Sequence, residues 1–390
     1  MEPELQPEVE EAPPAAAAPA PDAARQPAKT PPAGSVDRNF DWVFIGPHGL
    51  RAGWSILLFA ALYYLFQVVV GTLFFAARLL GETSGNSPAI VLVGELIPFL
   101  ALLGAVAVMG LIEDRRLLSY NLAGPRRAWR FLSGLAAGFT ALSLLVGTLA
   151  WGGWMRFGPA ALPGAQAFRF AALWACVFLI VGSVEEGLFR CYALSTLTRG
   201  INFWWALAAQ IAACLYLPLN GEGHGAWGVY ITAALGLVPC FILHRRAASR
   251  SAFWQAAWVT STVFGLYHTS NSGENWVGIL AAGFIGFVFC VSVRFTGSAW
   301  WAIGCHAAWD WAETFFYGTA DSGMKGQGHY LAANPIGNPL WSGGADGPEG
   351  SLLVLGVILL LLLLLLGLYG RSNAAAPDAP ALQANGGSSG

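Results

Sequence analysis

Residues 352–370 read LLVLGVILLLLLLLLGLYG, nineteen positions without a charge. A helix needs roughly 20 such residues to cross about 30 Å of hydrocarbon. Hydrocarbon supplies no hydrogen bonds, so a segment there satisfies its backbone internally, as a helix does. Further spans are predicted at about 53–80, 88–112, 130–153, 169–195, 201–219, 226–243, 252–269, 275–294 and 298–317, with 226–243 the shortest and least regular. The whole chain is 56% hydrophobic and only 11% charged, where a soluble domain carries roughly 25% charged residues. The expected fold is therefore all-α: a polytopic integral membrane protein with about 8–10 transmembrane helices.

The two ends differ from this body. Residues 1–40 are Pro/Ala/Glu-rich, a composition expected to stay disordered, and 373–390 read as a flexible tail. Between them lie N-terminal membrane helices (41–165), a second helical region (166–320), an extramembrane Gly/Asn/Pro-rich loop (321–350) and the helix at 351–372. Basic residues mark the cytoplasmic side. EDRRLLSYNLAGPRRAWR (113–130) and HRRAASR (244–250) are the basic loops. Ten spans then place both termini in the cytoplasm, in the inner membrane, with 318–350 outside. Residues 201–220 weakly echo 251–271, with FW near the start and LY near the end, which suggests a helical hairpin inserted near 201–250.

Charge inside a span costs roughly 2.5–3.5 kcal/mol on insertion scales, so such residues are functional candidates. They are Glu95, Glu185, Glu186, Arg190, His268, His306, Asp310 and Glu313. Glu186 and Arg190 are four apart in the favourable order and read as a self-neutralising pair. Glu185 points about 100° away from Glu186, with no local partner. A carboxyl so placed suits general acid/base chemistry. His306 and Asp310 share one helical face, where they could hold a metal, bind a water and an oxyanion, or simply bond each other. His268 ends an apolar run, the usual place for a capping group. His48, His224, His244 and His329 read as surface residues. The six cysteines show no CxxC spacing and read as small buried apolar residues rather than disulfides. No basic stretch is interleaved with aromatics, so lipid is the expected partner and nucleic acid is not.

Three motifs carry a family resemblance. EEGLFR (185–190) matches EExxxR, FGLYH (264–268) matches FxxxH, and HAAWD (306–310) matches HxxxN/D. Over about 180–317 the chain resembles the CPBP family of intramembrane endopeptidases, also called the CAAX protease or ABI family. The resemblance implies a helical membrane fold around a catalytic cavity. By it, Glu185 activates a water, assisted by His268, while His306 and Asp310 bind the scissile carbonyl and its oxyanion. Glu186, Arg190 and Phe264 give structural or substrate support, with Arg190 a candidate for a substrate carboxylate. The implied substrate is a membrane-associated protein or peptide. Many relatives are named metalloproteases, and Glu185, His268 and His306 could hold Zn2+ with an open position, although the glutamate mechanism needs no metal. Two rival readings are a non-catalytic scaffold or bacteriocin-immunity-type protein of the same fold, and a transporter or proton relay.

Two features depart from the family pattern. Glu185 and His268 are 83 residues apart, far more than the family's usual connection. Their depths also disagree: Glu185 falls near the cytoplasmic third of a span drawn as 169–195, while His268 lies about 25 Å along its own. A span running well past Arg190 would reconcile them, as would a tilted helix.

Overall fold

The computed structural model describes residues 41–47, 49–79, 86–220, 225–271 and 273–373. The tails expected at 1–40 and beyond 373, and His48 and His224, lie outside these residues. Among the described residues there are ten helices of twelve residues or more: α1 (Ala52–Ala76), α2 (Pro88–Ile112), α3 (Arg127–Trp151), α4 (Gly164–Leu197), α5 (Phe203–Leu219), α6 (Ala226–Arg245), α7 (Ser251–His268), α8 (Trp276–Thr296), α9 (Trp300–Trp311) and α10 (Leu353–Asn373). Their strand companions are only two or three residues long. The protein is an all-α, multi-pass membrane protein.

Seven of the ten helices are long and apolar enough to cross a bilayer: α1, α2, α3, α4, α6, α8 and α10. Each coincides with a predicted span, including α6, the least regular. The other three have physical reasons for falling short. Helix α5 has 17 residues. Helix α7 devotes positions to Gln255, Thr260, Ser261, Thr262 and His268. Helix α9 has 12 residues before its winding changes.

That change of winding occurs twice. Helix α4 passes into a π turn at Gly187–Ala193 and α9 into one at Ala312–Tyr317. Such turns are rare and concentrate at functional sites. Here each follows a motif: Glu185 and Glu186 precede the first, and His306 and Asp310 precede the second. The first turn does not end its helix, which runs 34 residues to Leu197. The helix thus ends two residues beyond the span drawn as 169–195.

Helix α9 lies between α3 and α4. A methyl at Gly134 would overlap the Trp301 carbonyl, one at Gly138 the Cys305 carbonyl, and one at Gly304 the Phe131 carbonyl. Gly134 and Gly138 form a GxxxG pair, the small-residue spacing that lets membrane helices approach backbone to backbone. The ascending register, 134 with 301 and 138 with 305, makes α3 and α9 parallel. On the other side, Gly182 faces Ile303 and Ala307, and Trp311 Nε1 donates to the Ala171 carbonyl at 2.9 Å, so α4 is antiparallel to α9.

Parallel packing separates two loops. Residues 113–126 lead into the start of α3, next to the start of α9, where Arg130 donates to Ser298 Oγ at 3.3 Å. Residues 318–350 leave the opposite end. There Met155–Phe157 pairs antiparallel with Ala333–Pro335, and Ala320–Asp321 with Met324–Lys325. The 318–350 segment is thus ordered, and it folds back over the helix ends.

Candidate active site

The motif residues come from three helices. Helix α4 carries Glu185 and Glu186, α7 carries Phe264 and His268, and α9 carries His306 and Asp310. Glu185, Phe264, His268, His306 and Asp310 line one cavity of about 280 Å3. A single water needs only about 10–15 Å3 on this measure, so the cavity admits several.

His306 is the centre of the arrangement. Its Nδ1 lies 3.0 Å from Glu186 Oε1. Its Nε2 lies 3.8 Å from Glu185 Oε2 and 3.5 Å from Asp310 Oδ2. A carboxylate only accepts, so Nδ1 carries hydrogen and donates to Glu186. That fixes the ring and aims Nε2 at the two cavity carboxyls. Phe289 stacks on the ring at 5.8 Å between centroids, and Phe264 meets it edge-on at 6.2 Å.

His268, the last residue of α7, is set by the same logic. Its Nδ1 bonds the Phe264 carbonyl at 2.8 Å. A carbonyl only accepts, so Nδ1 donates and Nε2 is left as the basic nitrogen of the neutral ring. The bond runs back along the helix to i−4, holding the ring against its own last turn while it lines the cavity.

Behind the cavity, Glu186 Oε2 pairs with Arg190 Nε at 3.3 Å, both side chains wholly buried. Arg190 lies over the Phe264 ring at 4.2 Å, and its carbonyl accepts from Asn121 Nδ2 at 2.7 Å. The expected pairing of Glu186 with Arg190 is present. Arg190 does not line the cavity, so the expectation that it meets a substrate carboxylate is corrected: its guanidinium serves Glu186 and Phe264. Glu186 does more than neutralise it, because the same carboxylate orients His306.

Glu95, on α2, a candidate only by its charge inside a span, lines the cavity with Glu185 and Tyr267. Other lining residues were not foreseen. The 318–350 segment adds Asp321, Ser322, Met324, Gly326 and Glu349. Outside the spans, burial raises several carboxyls. Glu274 is pushed up to about 10, with Asp346 adding to the effect, and Asp346 up to about 8, with Glu349 adding to it. Asp321 is held well above the usual carboxylate range by burial and by Asp310 and Glu349.

The zinc set does not assemble. Among the described residues, the three His, Cys, Asp or Glu side chains whose ligand atoms converge within 4.8 Å are Glu313, Asp321 and Glu349, not Glu185, His268 and His306. All six cysteines are free, and Cys191, Cys240, Cys290 and Cys305 are buried as expected, but Cys176 is exposed and Cys214 half-buried. His244 and His329 are half-buried rather than surface groups. The His244 ring stacks on Phe203 at 5.5 Å.

Fold and cavity define the class: a polytopic helical membrane protein with a carboxylate–imidazole site enclosed among its helices. The family model described as Type II CAAX prenyl endopeptidase Rce1-like matches residues 240–312. The match supports the CPBP, or CAAX protease, family, whose members are proteases. It covers His268, His306 and Asp310, and it leaves Glu185, Glu186 and Arg190 outside. No curated protein and no solved structure matches the chain.

Proposed function

We propose that the protein is an intramembrane endopeptidase that hydrolyses a peptide bond of a membrane-associated protein or peptide. The observation that carries this is His306, held by Glu186 on one nitrogen and facing Glu185 and Asp310 with the other, in a cavity that His268 also lines. Peptide hydrolysis needs a water made nucleophilic and a place for the oxyanion.

Glu185 takes a proton from a water that His268 Nε2 helps to orient. The resulting hydroxide attacks the scissile carbonyl carbon. The oxyanion accepts a hydrogen bond from Nε2–H of His306 as the imidazolium, whose Nδ1–H stays on Glu186, and from Asp310 in its neutral form, since an ionised carboxylate cannot donate. Glu185 returns its proton to the leaving nitrogen, and the peptide bond breaks. Glu186 and Arg190 act as positioning residues. In this reading the 201–250 hairpin is an insertion between the motifs, both termini are cytoplasmic, and the 318–350 segment lies on the outer side.

The test compares protein termini in membranes of cells carrying wild type or Glu185→Gln at equal expression. Peptide ends found only with wild type are expected, and their sequences name the substrate. Identical termini would overturn the peptidase reading in favour of a scaffold with the same fold.

A further inference from the structure

The cavity continues, past Asp310, into a second group of carboxyls that the hydrolytic reading does not use. The π turn that ends α9 buries Glu313 completely, against the 318–350 segment. Asp321 and Glu349 come from that segment. One oxygen from each of the three lies within 4.8 Å of the others.

Neutral donors hold these groups in place. Trp309 Nε1 donates to Glu313 Oε2 at 3.1 Å and to Glu349 Oε1 at 2.6 Å. Ser322 Oγ donates to Glu349 Oε2 at 3.1 Å, and Thr314 Oγ1 to Asp321 Oδ2 at 3.0 Å. One of the cluster's buried oxygens has no donor. Glu313 Oε1 is buried and has no hydrogen-bond partner among the described residues. Beside it Gly347, at φ +107°, a conformation that side-chain-bearing residues rarely adopt, lets the backbone at 347 approach both Glu313 and Ala320 closely. A methyl there would sit 3.1 Å from Glu313 Oε1 and overlap the Ala320 carbonyl.

Buried carboxylates brought this close repel one another, and burial costs each of them solvation. Protons could relieve this, and so could a cation. The bare Glu313 oxygen and the adjacent Ala320 carbonyl, two oxygen ligands on one side of the cluster, favour the cation. All the available donors are oxygens, with no imidazole or thiolate, which selects a hard ion. A wholly buried ligand requires an ion that sheds water, and the irregular loop tolerates irregular coordination. Both favour calcium over magnesium, which keeps its waters and demands an octahedron.

We propose that Glu313, Asp321 and Glu349 form a binding site for a divalent cation, calcium by preference, that pins the 318–350 segment to the end of α9. The site is independent of the peptidase reading.

The test uses the full chain in detergent, stripped with a chelator and titrated with calcium chloride. Calorimetry should show one ion per chain, and the unfolding temperature should rise with calcium. Asp321→Asn and Glu313→Gln should each weaken calcium binding at least tenfold. Without calcium neither should unfold more easily than wild type, because each removes repulsion. Glu185→Gln should bind calcium as wild type does. Wild type that shows neither heat nor a thermal shift at millimolar calcium would overturn the site and leave a cluster of protonated, hydrogen-bonded carboxyls. So would Asp321→Asn binding like wild type. An equal response to magnesium chloride would overturn the preference for calcium.

Discussion

Glu186 joins a buried ion pair to a histidine that faces the cavity. Replacing it with glutamine removes the charge that balances Arg190, a group wholly enclosed by protein. Breaking a buried pair from one side costs about 3–5 kcal/mol, so Glu186→Gln should lower the unfolding temperature sharply. Replacing both partners, as Glu186→Leu with Arg190→Met, should recover most of that stability while hydrolysis stays lost, because His306 Nδ1 no longer has its acceptor. Recovery of activity in the double variant would show that Glu186 does not position His306. Glu185→Gln should behave in the opposite way, keeping the wild-type melting profile while losing hydrolysis by roughly 10²–10⁴-fold, the usual contribution of general base catalysis. Residue identities here were legible in advance, since each charge inside a span stands out against its surroundings. The Glu186–Arg190 pairing was legible too, from its spacing, but the pairings with His306 were not. Glu185 read as partnerless because its partner, His306, is 121 positions away and arrives on another helix.

Helix α3 offers an internal comparison at the scale of an element. Gly138 meets the Cys305 backbone, whereas Gly147, nine positions on, has open space around it. Gly138→Ala should separate α3 from α9 and cost about 1–3 kcal/mol, the usual penalty of overpacking. Gly147→Ala should be neutral or slightly stabilising. Melting of the two variants side by side checks this, and equal effects would mean that α3–α9 contact is not limited by backbone approach. Hydropathy located the helices well, because the cost of unsatisfied backbone in lipid leaves few alternatives. It could not reveal the π turns, where one backbone hydrogen-bond register replaces another with no change in composition. Nor could it show that the loop at 318–350 orders itself, because that order comes from pairing with Met155–Phe157, far away in sequence.

At the scale of the whole molecule, Glu113, just beyond α2, joins that helix end to α4. Arg199 Nη2, after α4, reaches it at 2.9 Å, Tyr120 Oη at 3.0 Å and Tyr192 Oη at 3.3 Å. Burial pushes its pKa up, but the Arg199 charge and the Tyr120 hydrogen bond help to outweigh this and hold it below the ordinary glutamate value. A depressed folded-state pKa means stability that is present above the unfolded value, about 4.3, and is lost as pH falls through the folded one. Glu113→Gln should therefore melt well below wild type at pH 7, and the gap should close in acid, below about pH 4. A gap that persists in acid would show that the contribution comes from shape rather than charge.

Composition and hydropathy alone determined a helical membrane protein, because lipid penalises every charge and every unpaired peptide group. Motif spacing singled out the four residues proposed to act on the peptide bond, because a charge kept in such a setting marks a site. Tertiary structure decided what sits beside what: the Glu186–His306 bond, the enclosure of Arg190, the entry of Glu95 into the cavity, and the meeting of Glu313 with Asp321 and Glu349. These contacts join residues from eight to 120 positions apart. Their geometry depends on helix approach distances and on two changes of winding, which no local pattern of residues records.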